Sequence, residues 1–597
     1  MALGLLVLSS ALYLGTATGA ALVDDDIDAA HALVAREMLQ RHDFAVLYMD
    51  GIRYLIRPPM HFWLVAAGYA LLGESEFVTR LPVALSMVAL VLLVFEFGRR
   101  FFGDRAGLYG ALVVATSVGM FIFTRDMIPE AIYALEFTAI FYLFLRAWTG
   151  SLDPRAGYWG AAAVCALAAL TRGPIGVLFP GAILVLFITL TRSWPRWREL
   201  HLISSAAIFL AIAAPWHIVA GLRAPGFFWI YFVNEHINRA LGTRLPHDYS
   251  AVPLWLWWVE HIAWLFPWSF FAPLAFREVP PPKTWGREMD RAAQARLLLM
   301  VWAGFILLFF SLEGGSRMEY YSFGAWPALG LLLGLGIAQA ESANHRWLQW
   351  ISRTLSALGA FFALAAGIFA WIFSGASAPD SLSRDVHMRS VEFYQSSMAH
   401  ILDLTPQALA DLQLPVIIAA VSFLVGFGVS WILRERRLQA ASTVALALGM
   451  TGFFAAAYVA NKDFDASLSS RTLAMQINKT LAPGDQLALY GDIRVAPSVA
   501  YYCHRRVLLY NATGSNLEFG SHFADAPKTF FNDQDFSTLW SGPARVLLIV
   551  PADKQEEARA RLPQHSTWIL AAAGGKTVYV NQAPHFGQHP AVMPGKP

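Results

Sequence analysis

Apolar runs of roughly 17 to 20 residues recur along the chain, and this repetition constrains the fold more than any single motif. Leu81–Phe97, Pro174–Thr191, Ile203–Leu222 and Leu414–Leu433 are examples. As helices they are long enough to cross roughly 30 Å of hydrocarbon with every backbone group satisfied internally. A length of 597 residues would otherwise suggest several soluble domains, but 56% hydrophobic and only 14% charged residues make lipid the better solvent.

Reading the apolar runs against the lysine and arginine rule predicts about 13 spans. They lie near 4–22, 81–98, 106–122, 131–146, 157–171, 174–191, 201–222, 259–276, 297–312, 322–340, 354–374, 414–433 and 439–460. With a cytoplasmic N-terminus, alternate loops carry Arg99, Arg100 and Arg105, then Arg192, Arg196 and Arg198, then Arg434, Arg436 and Arg437, a consistent positive-inside pattern. The segment 4–22 has no basic residue before it, so it reads as an anchor rather than a cleaved signal.

Charge and cysteine usage exclude several function classes. A formal charge of +2 gives no footprint for nucleic acid, and two cysteines, Cys165 and Cys503, form neither a ligand cluster nor a disulfide framework. After residue 460 the composition becomes that of a soluble domain. Strand-like runs at Gln486–Tyr490, Val507–Tyr510 and Arg545–Val550, helical patterns at Ala466–Leu481 and Ala552–Leu562, and a hairpin around Gly574 and Gly575 predict a small α/β domain over 461–583. The expected organisation is thus an all-α transmembrane domain over 1–460, this extracytoplasmic α/β domain, and a disordered tail over 584–597.

The loops opposite the basic set differ in kind. Segments 23–80 and 223–258, with the shorter 123–130 and 313–321, mix aromatic, acidic and basic residues. Within the first, the patterns His31–Gln40 and His61–Leu72 suit amphipathic elements lying flat in the interface. Asp24, Asp25, Asp26 and Asp28 crowd where the chain leaves the bilayer, either as a solvated turn or as carboxylates whose proximity raises the affinity of some for a proton. Arg53 and Arg57 precede Pro58-Pro59, a rigid mount for guanidinium forks that suit phosphate or merely touch headgroups. Glu130 follows Pro129 at a helix start, where an acid needs no further reason. Arg172 sits in the tight turn Thr171-Arg172-Gly173-Pro174, as topological anchor or phosphate contact. Glu235 and Arg239 are four apart on one helical face, with His236 beside them. Arg317, Tyr320 and Tyr321 open a later span.

Taken in order, these elements resemble the lipid-carrier-dependent C-type glycosyltransferases, the branch holding aminoarabinose transferases and relatives of protein O-mannosyltransferases. The resemblance spans most of residues 1–340. It rests on the acidic first loop leading to Arg36-Glu37-Met38, Arg57-Pro58-Pro59 with Trp63, Arg80-Leu81-Pro82, Pro129-Glu130, Thr171-Arg172-Gly173-Pro174, Pro215-Trp216, Glu235-His236 with Arg239, Pro267-Trp268, and Arg317 with Tyr320-Tyr321 and Pro327. It implies inverting transfer of a sugar from a polyprenyl-phosphate donor to an acceptor on lipid A or lipopolysaccharide, another glycan or a protein, in a bacterial inner membrane. It further implies Asp25 or Asp26 as the first-loop carboxylate, Glu130 as the second acid, and Arg57, Arg239 and Arg317 as phosphate ligands, with Arg172, Glu235, His236, Tyr320 and Tyr321 around the substrate. In the family the residue before the phosphate-binding position is often Glu, a metal partner of the loop histidine. Here it is Ile56, so a divalent cation at His236 is left open and no metal ligand is assigned. A polytopic transporter would need repeated halves and ionisable groups at the bilayer midplane, neither of which is evident; a noncatalytic assembly component on the same scaffold is the other rival.

Overall fold

The computed structural model describes residues 1–24, 27–247, 251–286, 288–373 and 412–583. Asp25, Asp26 and the expected tail 584–597 lie outside the described residues.

Eight helices are long and apolar enough to cross a membrane: Glu76–Phe102, Glu130–Trp148, Leu202–Arg223, Arg291–Leu312, Tyr321–Ser342, Arg346–Ile372, Gln413–Glu435 and Gln439–Asp463. The other expected spans are short, broken or, for the 19-residue helix Pro154–Arg172, less apolar, so the expected number is not reached on length and apolarity. The run 106–122 divides into Asp104–Thr116 and Val118–Ile122, because Ser117 is extended and Val118 donates its N–H to the Phe266 carbonyl instead of continuing the ladder. The run 259–276 divides at Pro267 into Leu254–Trp264, Trp268–Phe271 and Ala272–Arg277. Such breaks are tolerated only where neighbouring chain takes up the freed backbone groups.

The helices meet over a core rich in aromatic and aliphatic side chains, including Trp257, Trp268, Trp302 and Trp326. Close approach depends on small residues, as elsewhere in lipid where apolar burial gives helices no reason to associate. A Cβ on Gly98 would lie 2.6 Å from the Gly107 Cα, so the hairpin of Glu76–Phe102 and Asp104–Thr116 closes only because both positions lack side chains.

The first loop departs from its expected placement. The helix Asp28–Arg41 does not lie flat at an interface: Asp28 through Arg36 are all buried, in a cluster that also contains Met60–Leu72 residues and strand residues from the far end of the chain. Met60–Leu72, at 13 residues, is too short to span. Between these helices β1 (Tyr48–Met49) and β2 (Ile52–Arg53) form a small hairpin across Asp50-Gly51.

The C-terminal region holds a six-stranded sheet of β3 (Gln486–Tyr490), β4 (Val507–Tyr510), β5 (Phe530–Phe531), β6 (Val546–Pro551), β7 (Trp568–Ala573) and β8 (Lys576–Val580), in the order β5-β4-β3-β6-β8-β7. The first four are parallel and the last hairpin antiparallel. Their near-continuous apolar composition follows from burial on both faces. The expected helix 466–481 is interrupted at Ser469-Ser470, between Asp465–Leu468 and Arg471–Asn478. That interruption has a use. Asp24 accepts hydrogen bonds from the Ser470 hydroxyl and, at 3.0 Å, from the Ser498 N–H, and pairs with Lys576 at 3.0 Å. Asp50 accepts from the Val507 N–H, Tyr502 bonds the Leu22 N–H, and Arg53 pairs with Asp525. The sheet region is therefore seated on the first loop through one shared apolar core and several cross-links.

Candidate active site

Three backbone features bring the expected residues together at the loop end of the helices. Pro129 starts the helix Glu130–Trp148 and places Glu130 in its first turn. Gly173, at φ +71, ends the helix Pro154–Arg172; a Cβ there would lie 2.8 Å from both His236 Nε2 and Tyr231 Oη, so only glycine lets the turn reach the loop 223–258. That loop is itself helical over Trp229–Asn238, in wide π-type turns that direct Glu235 inward.

The result is a connected set of charges. Arg172 Nη2 lies 2.9 Å from Glu130 Oε1, and its guanidinium sits 5.2 Å from the centroid of the Tyr321 ring. Arg239 donates to Tyr321 Oη at 3.4 Å and to Glu235 at 2.5 Å. Glu235 receives a second guanidinium, Arg244, at 2.6 Å, whose other donors reach Pro246 O and Asn516 Oδ1. Arg57 stands in the field of this set, acting on Glu130, Arg172 and Glu235. Burial alone would raise the Glu235 carboxyl, but Arg239, Arg244 and Arg57 outweigh it and hold the group at about 2. An ionised carboxylate here is thus a fixed support for arginines and a poor proton acceptor. Glu130 differs. It is 2% exposed, and among the described residues no other residue gives either carboxylate oxygen an aligned hydrogen bond, despite the ion pair.

Other expected residues are placed differently. Arg317 is turned inward: its Nε donates to Val252 O and its Nη1 to Phe310 O, Ser311 O and Glu313 O. The last three lie at the end of helix Arg291–Leu312 and Val252 in another loop, so the guanidinium works as a C-terminal cap and loop clamp. Tyr320 is a buried wall residue with its ring 5.8 Å from Phe123. His236 Nδ1 is engaged with the Tyr231 carbonyl, and burial lowers its proton affinity. Its donor set does not suit a divalent cation: the adjacent carboxylate Glu235 is held by two arginines, Ile56 offers no ligand, and no group of three His, Cys, Asp or Glu among the described residues is arranged to hold a metal.

Several residues of this neighbourhood carry no local signal in the sequence. Arg244 completes the Glu235 support from a turn nine residues away. Asp28 is fully buried against Arg80 at 2.6 Å, while Arg80 also donates to the Ala20 and Ala21 carbonyls. Asp126 is pushed up to about 7 by burial and by Asp28, against the pull of Arg80 and Arg125. An acid near neutrality therefore lies four residues before Glu130. Only the crowding of carboxylates in the first loop hinted at such a shift.

Comparison with known proteins gives this geometry a context. Residues 56–218 match the family model described as dolichyl-phosphate-mannose-protein mannosyltransferase. An undecaprenyl phosphate-alpha-4-amino-4-deoxy-L-arabinose arabinosyl transferase of Pectobacterium carotovorum is 26% identical over 93% of this chain and 94% of its own length. A protein of the same name from Aeromonas salmonicida is 24% identical over 90% and 92%. In three dimensions, the crystal structure of ArnT from Cupriavidus metallidurans bound to undecaprenyl phosphate superposes with a TM-score of 0.81 at 21% identity, covering 98% of this chain and 99% of that one. The shared fold extends through the C-terminal sheet, and along nearly all of its length the chain, a polytopic membrane protein, is similar to the C-type, lipid-carrier-dependent glycosyltransferases of the aminoarabinose transferase and protein O-mannosyltransferase-like group.

Proposed function

We propose that the protein moves a sugar from a polyprenyl-phosphate carrier to an acceptor at the extracytoplasmic face of a bacterial inner membrane, with inversion at the anomeric carbon. The observation that carries this reading is the meeting of Glu130, Arg57, Arg172, Arg239 and Tyr321 from separate loops at one end of the helices. The positive-inside pattern supports the orientation. Relatives named for 4-amino-4-deoxy-L-arabinose make that sugar the first to test, with lipid A, other glycans and protein as acceptors.

In this reading an acceptor oxygen attacks the anomeric carbon from the face opposite the carrier, the carbon–oxygen bond to the carrier phosphate breaks, and the phosphate leaves with the bonding pair. Asp25 and Asp26 are assigned to the acceptor side, where one takes the acceptor proton, with Glu130 as their partner. Arg57, Arg172 and Arg239 hold the carrier phosphate and stabilise the charge that develops on it, with Tyr321 backing two of them. Glu235, His236 and Tyr320 shape the pocket wall. Arg317 holds the loop that presents Tyr320 and Tyr321.

The test is transfer by purified, reconstituted protein given radiolabelled undecaprenyl-phosphate-linked aminoarabinose and each acceptor class. Transfer by the wild type and its loss in the Asp25→Ala/Asp26→Ala double variant is the expected result. Retained transfer in that variant overturns the assignment of the base. Movement of the donor across the membrane with no glycosidic product overturns the enzymatic reading.

A further inference from the structure

Beside the charged set lies a pair of histidines that the reaction as described does not use. His31, from helix Asp28–Arg41, and His61, from helix Met60–Leu72, are each 3% exposed, with ring centroids 5.2 Å apart. Phe62 closes one side, 4.9 Å from His31 and 5.3 Å from His61. His31 Nδ1 lies 3.4 Å from the carbonyl of Met127, in the loop that leads to Glu130. The remaining three ring nitrogens, His31 Nε2 and His61 Nδ1 and Nε2, have no hydrogen-bond partner among the described residues.

Buried polar atoms are almost always paired, and an aromatic ring without nitrogens, as at Phe62, would fill this space at no polar cost. The pair therefore has hydrogen-bonding capacity that no described residue takes up. Its charge state narrows what that is. Burial and the positive field of Arg57 disfavour the imidazolium form of both rings, His61 being brought down to about 3. Two neutral imidazoles offer N–H donors and bare nitrogen acceptors side by side, a combination that matches hydroxyl groups and gives no advantage to phosphate. Phosphate has its own ligand next door in Arg57.

We propose that His31 and His61 form a subsite for the hydroxyls of the carrier-linked sugar, adjoining the phosphate position at Arg57. The proposal rests on the glycosyl-transfer reading and deepens it: the arginines hold the carrier, and the histidine pair distinguishes a carrier that bears a sugar from one that does not.

The experiment measures binding of two probes to the full-length protein in nanodiscs, undecaprenyl phosphate and undecaprenyl-phosphate-linked aminoarabinose. His31→Phe and His61→Phe keep an aromatic ring and remove the nitrogens; His61→Gln restores a donor and an acceptor. The expected result is a loss of affinity for the sugar-bearing probe of about tenfold or more in each Phe variant, with affinity for the bare probe within about twofold of wild type. Recovery of at least part of the loss in His61→Gln is expected, with melting temperatures near wild type throughout. Phe variants that bind the sugar-bearing probe as wild type does, or that lose both probes equally, overturn the subsite and leave the pair as a packing or water-holding feature. A wild type that binds neither probe overturns the glycosyl-transfer reading itself, and the subsite with it.

Discussion

Two buried glutamates, at opposite ends of the helices, show how differently the same side chain is used. At the basic end, Glu341 is 3% exposed and fully engaged: Oε1 receives Arg434 at 2.8 Å and Thr443 at 2.7 Å, and Oε2 receives Tyr109 at 2.6 Å. At the loop end, Glu130 is equally buried but has, among the described residues, one ion pair and no aligned hydrogen bond from another residue. Ionised carboxylates are expensive to bury and are normally saturated with donors. The Glu341 network obeys that rule and ties four helices together. The Glu130 site departs from it, keeping lone pairs available where a substrate would enter. Burial and charge alone do not mark a working site; unused bonding capacity beside a cluster of arginines does.

That contrast can be broken in several ways. Glu341→Gln should cost the most stability, about 3–5 kcal/mol for leaving Arg434 buried and unmatched, while turnover per folded molecule stays near wild type; thermal unfolding and a transfer assay on the same preparation check both. Glu130→Gln should do the reverse, lowering kcat by about 10²-fold with a melting temperature close to wild type. A comparable fall in stability in both variants would erase the distinction. Arg317→Lys, which retains charge but cannot cap four carbonyls, should lose about 1–3 kcal/mol of stability with KM for the carrier unchanged, whereas a phosphate ligand would show itself in KM. Arg239→Lys should raise the carrier KM by about tenfold, because a lysine cannot serve Glu235 and a phosphate in one planar fork. The smallest effect is on pH. Glu235 is held at about 2 in the folded protein against an ordinary value of 4.5, so its pairing is fully stabilising above 4.5 and is lost as pH falls toward 2. Unfolding followed across that window should show an acid slope that is shallower in Glu235→Gln.

Much of the fold was legible because apolar periodicity is a local property. The expected spans fall largely on helix, and β3, β4, β6 and the β7–β8 hairpin lie where alternation and turn glycines put them. The breaks at Ser117 and Pro267 were not legible, since they depend on which neighbouring carbonyls and N–H groups receive the chain. Nor was the burial of helix Asp28–Arg41, whose partners lie some hundreds of residues onward in a region that reads as a separate domain. At the site, the loops that converge were readable from residue types in order. The roles within it were not: Arg317 and Arg239 look alike in sequence, and only their partners, four carbonyls for one and a carboxylate and phenol for the other, separate them. His31 and His61 are 30 residues apart, and nothing local announces that they meet.

The clamp on Asp24 bears on how the protein is made. Asp24 precedes Ser470, Ser498 and Lys576 by 446, 474 and 552 residues, so it is synthesised long before the groups that hold it. Until β8 is made and folded, Asp24 lacks part of the set of contacts that seats it. A chain that stops short of the C-terminal sheet would carry Arg57, Arg172, Arg239 and Arg244 and still have Asp24 unanchored. Seating of the first loop is thereby coupled to folding of that sheet.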